Sequence, residues 1–134
     1  MARRALFPGG ARTTADKIKL SPGIVSGDHV YVTGMTGSRP DGTMPVDLEE
    51  QFRQAFEKIG AVLREAGLDF GSVVEMTSYH IGLRDHFDRF CDVRSEYVSE
   101  PFPAWTAVEV AGLRRIGAVV EIKVVASIDS SRPE

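Results

Sequence analysis

The chain has 134 residues, a formal net charge of −3, 43% hydrophobic and 26% charged residues, and one cysteine. That is the size of one domain, spanning residues 1–134, able to bury a core without metal or disulfide staples. The lone Cys91 excludes an intrachain disulfide and fits a reducing, cytoplasmic setting, the acidic balance argues against a dedicated nucleic-acid binder, and no apolar run approaches the ~20 residues of a membrane span.

In chain order, residues 23–33 read as a β-hairpin. Ile24 and Val25 precede a Gly27-Asp28 turn, and His29-Val30-Tyr31-Val32-Thr33 alternates after it. A Gly/Pro-rich loop occupies residues 37–45. The spacing of Leu48, Phe52, Ala55, Phe56, Ile59, Val62, Leu63 and Ala66 predicts a helix over 48–66. Asp47 caps its start with Glu50 three residues on, as in a capping box, and Gly67 ends it. Residues 73–81 read as a strand. A second helix is predicted over 86–98, with Phe87, Phe90, Cys91, Val93 and Tyr97 on its apolar side. Pro101 and Pro103 stop it. Two further strands follow, 105–110 and 118–126, and residues 128–134 read as a frayed tail.

The last strand places Ala118, Val120, Ile122, Val124 and Ala126 on one face, with Val119, Glu121, Lys123 and Val125 on the other. Extending the rule puts Val30, Val32, Val108 and Val110 toward the helices. It leaves His29, Tyr31, Thr33, Trp105, Ala107 and Glu109 opposite. The pattern is an α+β domain, with two helices covering one face of a mainly antiparallel sheet. Its other face, mixed in polarity, calls for burial against further copies of the chain. The pairs Arg3–Arg4 and Arg114–Arg115 read as solvated surface.

Four segments carry a family resemblance. Gly27-Asp28-His29-Val30-Tyr31-Val32-Thr33-Gly34 is similar to the G-[ND]-x-[VL]-[FY]-[VT]-[ST]-G segment of the Rid (reactive intermediate deaminase, YjgF) family. The stretch from Asp47 to Ala55 resembles that family's first helix entry. Pro103-Ala104-Trp105-Thr106-Ala107-Val108-Glu109-Val110 falls where its deaminating members read P-A-R-[ST]-x-V-E-V, and Val120-Glu121-Ile122-Lys123-Val124-Val125-Ala126 resembles its V-E-I-[ED]-x-[IV]-A ending. The resemblance implies a chorismate-mutase-like α+β fold and a homotrimer whose sheets pack around a central barrel. It also implies a small-molecule ligand in each of three intersubunit clefts, hydrolysis of reactive imines and enamines, and no metal or organic cofactor.

Hydrolysis of an imine needs a water oriented onto the carbon of a protonated C=N bond, a task for a carboxylate in a partly desolvated cleft. Glu121 matches the family's catalytic glutamate. The alternative is an acid paired with Arg114, Arg115 or Lys123. Trp105 stands where the family's carboxylate-gripping arginine stands, and an indole offers one neutral donor in place of a two-pronged charged one. Interface packing is the competing role for Trp105. Leu20 occupies a position that is often tyrosine. The loss of both groups points toward substrates other than amino-acid-derived imines. Gly34 and Ala107 match positions whose backbone lines the cleft, Thr33 adds a hydroxyl, and Arg115, on a loop at 112–117 one residue longer than usual, is a candidate displaced cation. His80 is a candidate general acid or a structural histidine, and Cys91 reads as buried packing. A non-catalytic ligand-binding trimer and an RNA-cleaving or translation-inhibiting protein are the alternatives to hydrolysis.

Overall fold

A computed structural model describes residues 3–10 and 17–128. Six strands form one sheet, β1 (Arg4–Leu6), β2 (Gly23–Ser26), β3 (His29–Thr36), β4 (Val73–His80), β5 (Ala104–Glu109) and β6 (Val120–Ser127). Their spatial order is β1-β2-β3-β6-β4-β5. Every neighbouring pair is antiparallel except β4 and β5, which run parallel. Two helices, α1 (Leu48–Glu65) and α2 (Leu83–Arg94), cover one face. The predicted α+β architecture holds.

The hairpin forms as its sequence predicts. Ser26 pairs with His29 across Gly27-Asp28, and Gly27 takes φ +57°, a conformation that glycine enters at no steric cost. Helix α1 begins at Asp47, whose carboxylate accepts from the Glu50 N–H. Only half of the predicted capping box is made, because the Glu50 carboxylate instead accepts two bonds from the Arg39 guanidinium, at 2.8 and 3.1 Å. At the other end Gly67 (φ +75°) donates to Arg64 O and Leu68 to Leu63 O, so that the last carbonyls are satisfied.

The apolar stripe of α1 packs on the sheet as its spacing requires. Phe52, Ala55, Phe56, Ile59 and Leu63 are fully buried against Val30, Val120, Ile122 and Ala126. The large side chains contribute about 2–3 kcal/mol each by leaving water. Phe52 and Phe90 meet edge to face at 5.1 Å, and Phe56 stacks on Tyr97 at 4.6 Å. Gln51 is buried as well. Its amide donates to Pro45 O (2.8 Å) and Gly117 O (2.9 Å), and its oxygen accepts from Val119 N–H (2.9 Å). One α1 side chain thus pins the two loops that flank the end of the sheet.

Several expectations are corrected. Helix α2 starts at Leu83 and ends at Arg94 rather than spanning 86–98. Its buried positions are His86, Phe90 and Val93, whereas Phe87 is exposed and Cys91 half-buried. The start was hidden because Gly82 offers no capping side chain; the carboxylate of Glu109, distant in sequence, accepts from the Gly82 and Leu83 N–H groups instead. Strand β1, absent from the sequence reading, pairs with β2 and buries Leu6. Ile128 is not frayed, since its N–H donates to Asp28 O. The rest of the predicted tail, 129–134, lies outside the described residues.

The largest correction concerns β5. Its parallel register sets Trp105 beside Met76, Ala107 beside Ser78 and Glu109 beside His80. All three partners are buried or lie on the helix-covered face. Trp105 therefore points at α2, with its ring stacked on Phe87 (5.7 Å, 3°) and the Arg94 guanidinium carbon 3.9 Å above it. The valine-based assignment of β5 was inverted. The contacts of Trp105 and Glu109 with α2 outweigh the burial of Val108 and Val110. The uncovered face instead carries Ile24, Tyr31, Thr77, Tyr79, Val108, Glu121, Lys123 and Val125, by the same register argument.

Candidate functional site

The site grows from one irregularity in β3. Val32 pairs with Val124 and Met35 with Ile122, so Thr33 and Gly34 together oppose the single residue Lys123. This is a β-bulge, which adds one residue and bends its strand. It turns the end of β3 away from a flat ladder and opens a concavity of about 480 Å³ beside it. The walls are Ile18, Leu20 and Pro22 before β2, Thr33 to Thr36 on β3, Lys58 on α1, Arg114 and Arg115 on the loop before β6, and Glu121 on β6. A second hollow, about 340 Å³, adjoins it across Thr33 and Gly34 and runs past Tyr31 and Lys123 on the uncovered face.

Glycine at position 34 makes room for the acid. A β-carbon there would overlap the Glu121 carboxylate, which lies directly over the Gly34 backbone. Thr33 holds the facing wall: its hydroxyl donates to Ser21 O and its N–H to Pro22 O, both at 2.9 Å. The hydroxyl expected to meet a ligand is thus engaged with the chain that carries Leu20. Glu121 itself is half-buried, and among the described residues it has no ion-pair or hydrogen-bond partner. Its expected alternative, pairing with Arg114, Arg115 or Lys123, is not realised there.

The cations come from two elements. Lys58 lies three residues after Ala55 and four before Val62, at the border of the α1 apolar stripe, and its ammonium donates to Ser38 Oγ at 2.8 Å. Burial, reinforced by the nearby Arg115 charge, lowers its pKa to about 8. Arg115 reaches the same Ser38 Oγ at 3.3 Å and donates to Gly42 O at 2.7 Å. The loop at 37–45 is braced to receive these bonds by Arg39 N–H to Thr43 O and by the Arg39–Glu50 pair.

Of the sequence-predicted site residues, the structure gathers Leu20, Thr33, Gly34, Arg115 and Glu121 around one cleft. Trp105 and Ala107 are not among its walls, since β5 places them on the opposite face of the sheet. Lys58 and Arg114 were missed. Lys58 was legible only as a lysine flanking an apolar stripe, and Arg114 only as solvated surface or a pairing partner for Glu121.

Trp105 belongs to a separate, buried polar chain. Its Nε1–H donates to Ser78 Oγ (2.9 Å), which lies 2.8 Å from His80 Nε2, and His80 Nδ1 lies 3.0 Å from His86 Nε2. His80 is fully buried; desolvation, with the His86 charge second, lowers its pKa to about 4. His80 is therefore a neutral structural histidine on the face of the sheet opposite Glu121, not a general acid beside it. Among the described residues no group of three or more His, Cys, Asp or Glu is arranged to hold a metal ion, and no helix is long and apolar enough to cross a membrane.

Comparison with known proteins bears on this arrangement. Residues 13–128 match the family model described as Endoribonuclease L-PSP. The chain is 39% identical over 127 residues to the RutC family protein YjgH of Escherichia coli (strain K12), covering 94% of this chain and 95% of that one. It is 35% identical over 99 residues to a 2-iminobutanoate/2-iminopropanoate deaminase of Bos taurus, covering 72% and 71%. Among solved structures, one described as Protein YJGH superposes with a TM-score of 0.86 at 38% identity, covering 96% of this chain and 98% of the other. The structure of E. coli TdcF with bound serine gives a TM-score of 0.73 at 27% identity, covering 80% and 86%.

Proposed function

This chain belongs to the Rid (YjgF, endoribonuclease L-PSP) family, and from that membership together with the cleft at Gly34 we propose that it hydrolyses C=N bonds of small imines or enamines. The observation that carries the reading is the Glu121 carboxylate. It lies over a glycine at a bulge, lines a cleft, and has no partner among the described residues. An acid held there for structure alone would be paired with one of the cations around it.

In this reading a protonated imine sits in the cleft with its carbon facing Glu121. The carboxylate accepts a proton from water as the water oxygen bonds to that carbon. The same proton then passes to the nitrogen of the carbinolamine, and as the C–N bond breaks the carboxylate takes up the hydroxyl proton and releases it to the departing nitrogen, giving a carbonyl compound and ammonium. No cofactor is called for. The name deaminase on several relatives supports the reaction class. The substrate differs from that of family members with an arginine at position 105, because the Trp105 indole offers one neutral donor in place of a charged, two-pronged one. Assembly as a homotrimer, with the uncovered sheet face buried between copies, is part of the proposal. The Ile24, Tyr31, Val108 and Val125 side chains on that face support it.

The test is ammonia release from imines generated in situ by an amino-acid oxidase, comparing wild type with Glu121→Gln. Turnover that falls at least about 100-fold in the variant supports the proposal. Turnover indifferent to the substitution refutes it. Sedimentation equilibrium showing a species of one chain, 14.7 kDa, at micromolar concentration would refute the trimer.

A further inference from the structure

The ionisable lining of the cleft is unbalanced. Among the described residues Lys58, Arg114 and Arg115 face it with Glu121 as their one acidic companion, an excess of two positive charges in that lining, in a chain whose net charge is −3. Two of the three cations converge. Lys58 Nζ and Arg115 Nη1 both donate to the buried Ser38 Oγ, at 2.8 and 3.3 Å. An ammonium has three donors and a guanidinium five, and the shared hydroxyl and the Gly42 carbonyl engage three of these eight, leaving the others open to solvent or a ligand. Among the described residues no carboxylate pairs with Lys58, Arg114 or Arg115. Like charges drawn together at a partly desolvated place disfavour each other. The cost of Lys58 there shows in its lowered proton affinity. A compact anion between the two would reverse the balance, meeting a point charge on one side and a planar fork on the other.

We infer that the cleft is an anion seat and that its ligand carries a doubly charged group of the phosphate-monoester kind, held by Lys58 and Arg115. Arg114 lines the approach, and Glu121 faces the opposite end of the ligand. The excess of two charges selects a dianion over a single carboxylate. That Glu121 acts on a C=N carbon rests on the hydrolytic reading above; the anion seat stands on its own geometry. This seat takes the anion-holding task away from position 105 and assigns it to α1 and the loop before β6.

Calorimetric titration of the full-length protein at pH 7 tests the seat, with inorganic phosphate as probe and acetate at equal ionic strength as the monoanion. Saturable phosphate binding is expected, at least about tenfold tighter than acetate and weakened about tenfold or more in Lys58→Met and in Arg115→Met. Lys58→Arg should retain it, and Glu121→Gln should bind as well as wild type or better. Arg115 sits on an accessible loop, so its variant serves should Lys58→Met fold poorly. Absence of saturable binding, or affinity unchanged in both methionine variants, overturns the seat, and equal affinity for acetate overturns the dianion. Ammonia release in Glu121→Gln separates the two claims. Phosphate binding that meets these expectations beside turnover indifferent to Glu121 sinks hydrolysis alone, and Glu121-dependent turnover without phosphate binding sinks the seat alone.

Discussion

The carboxylate of Glu121 occupies the space that a β-carbon on Gly34 would need. The obstacle is the far end of a flexible side chain, so Gly34→Ala should displace the acid and leave the sheet intact. We expect a loss of at least about tenfold in Glu121-dependent turnover with a melting temperature within a few degrees of wild type. Gly37→Ala provides the contrast, because its β-carbon would meet the backbone of Gln51, which cannot step aside. That variant should lose several kcal/mol on urea denaturation. Equal melting temperatures for the two variants would refute the distinction.

Placing an arginine at position 105 should not restore a grip on anionic substrates. Trp105 is stacked on Phe87 beneath the Arg94 guanidinium, so Trp105→Arg loses the stacking and sets two cations together. A destabilisation of about 2 kcal/mol is expected on urea denaturation, with no rise in imine turnover. Increased turnover at unchanged stability would show instead that position 105 meets Glu121 of another copy.

Acid should unfold the protein through the pair His80 and His86. Both pKa values are lowered, chiefly by desolvation, that of His80 to about 4. The unfolded chain therefore takes up protons first. Stability is fully present above the unfolded value near 6.5 and is lost as the pH falls toward 4, by about 3 kcal/mol from His80 alone. Glu109, held low by the Gly82 and Leu83 N–H bonds, adds in the same direction at the bottom of that range. Urea midpoints at pH 7, 5.5 and 4 check this, and a flat profile would contradict it.

Gln51→Leu should be among the costlier single changes. It leaves Pro45 O, Gly117 O and Val119 N–H without their side-chain partner at the edge of the core. A loss of about 3 kcal/mol follows if two of the three stay unsatisfied. The loop bearing Arg114 and Arg115 should also exchange its amide hydrogens faster. Unchanged exchange there would mean that Gln51 does not hold it.

Phosphate affinity should depend on the protonation of Lys58. With its pKa lowered to about 8, the ammonium is present at pH 7 and lost as the pH rises through that value. Binding should weaken between pH 8 and 9.5 in wild type, an interval over which phosphate is already mostly the dianion, and the Lys58→Arg variant should be nearly flat over it. An identical decline in both would place the titrating group elsewhere.

What could be read beforehand followed periodicity. The α1 stripe, the Gly27-Asp28 turn and the alternation of β6 are each set by local spacing, and all formed as written. Strand β5 was assigned to the wrong face because its valines suggest burial, while its true orientation depends on Trp105 and Glu109 meeting α2, a contact that no spacing within β5 reveals. Strand β1 is three residues long and gives no period. Of the cleft, Glu121 and Gly34 were visible through motif resemblance. Lys58 was not, because a lysine beside an apolar stripe is ordinary in any surface helix; only the fold turns it toward Ser38.

Consider β3 with Gly34 deleted. Val32 would still pair with Val124, Thr33 alone would then oppose Lys123, and Met35 and Thr36 would keep Ile122 and Glu121 as they have them now. The alternation of inward and outward side chains is already correct on both sides of the join, so the shortened strand would make an unbroken ladder in the same sheet. The architecture thus has no need of this residue, and the hollow that depends on it amounts to a one-residue insertion in an otherwise ordinary scaffold. Stability and site can therefore drift independently in such a lineage. A relative missing this single position would keep the topology while losing the hollow, and gene-level comparison should look for its presence before inferring shared chemistry.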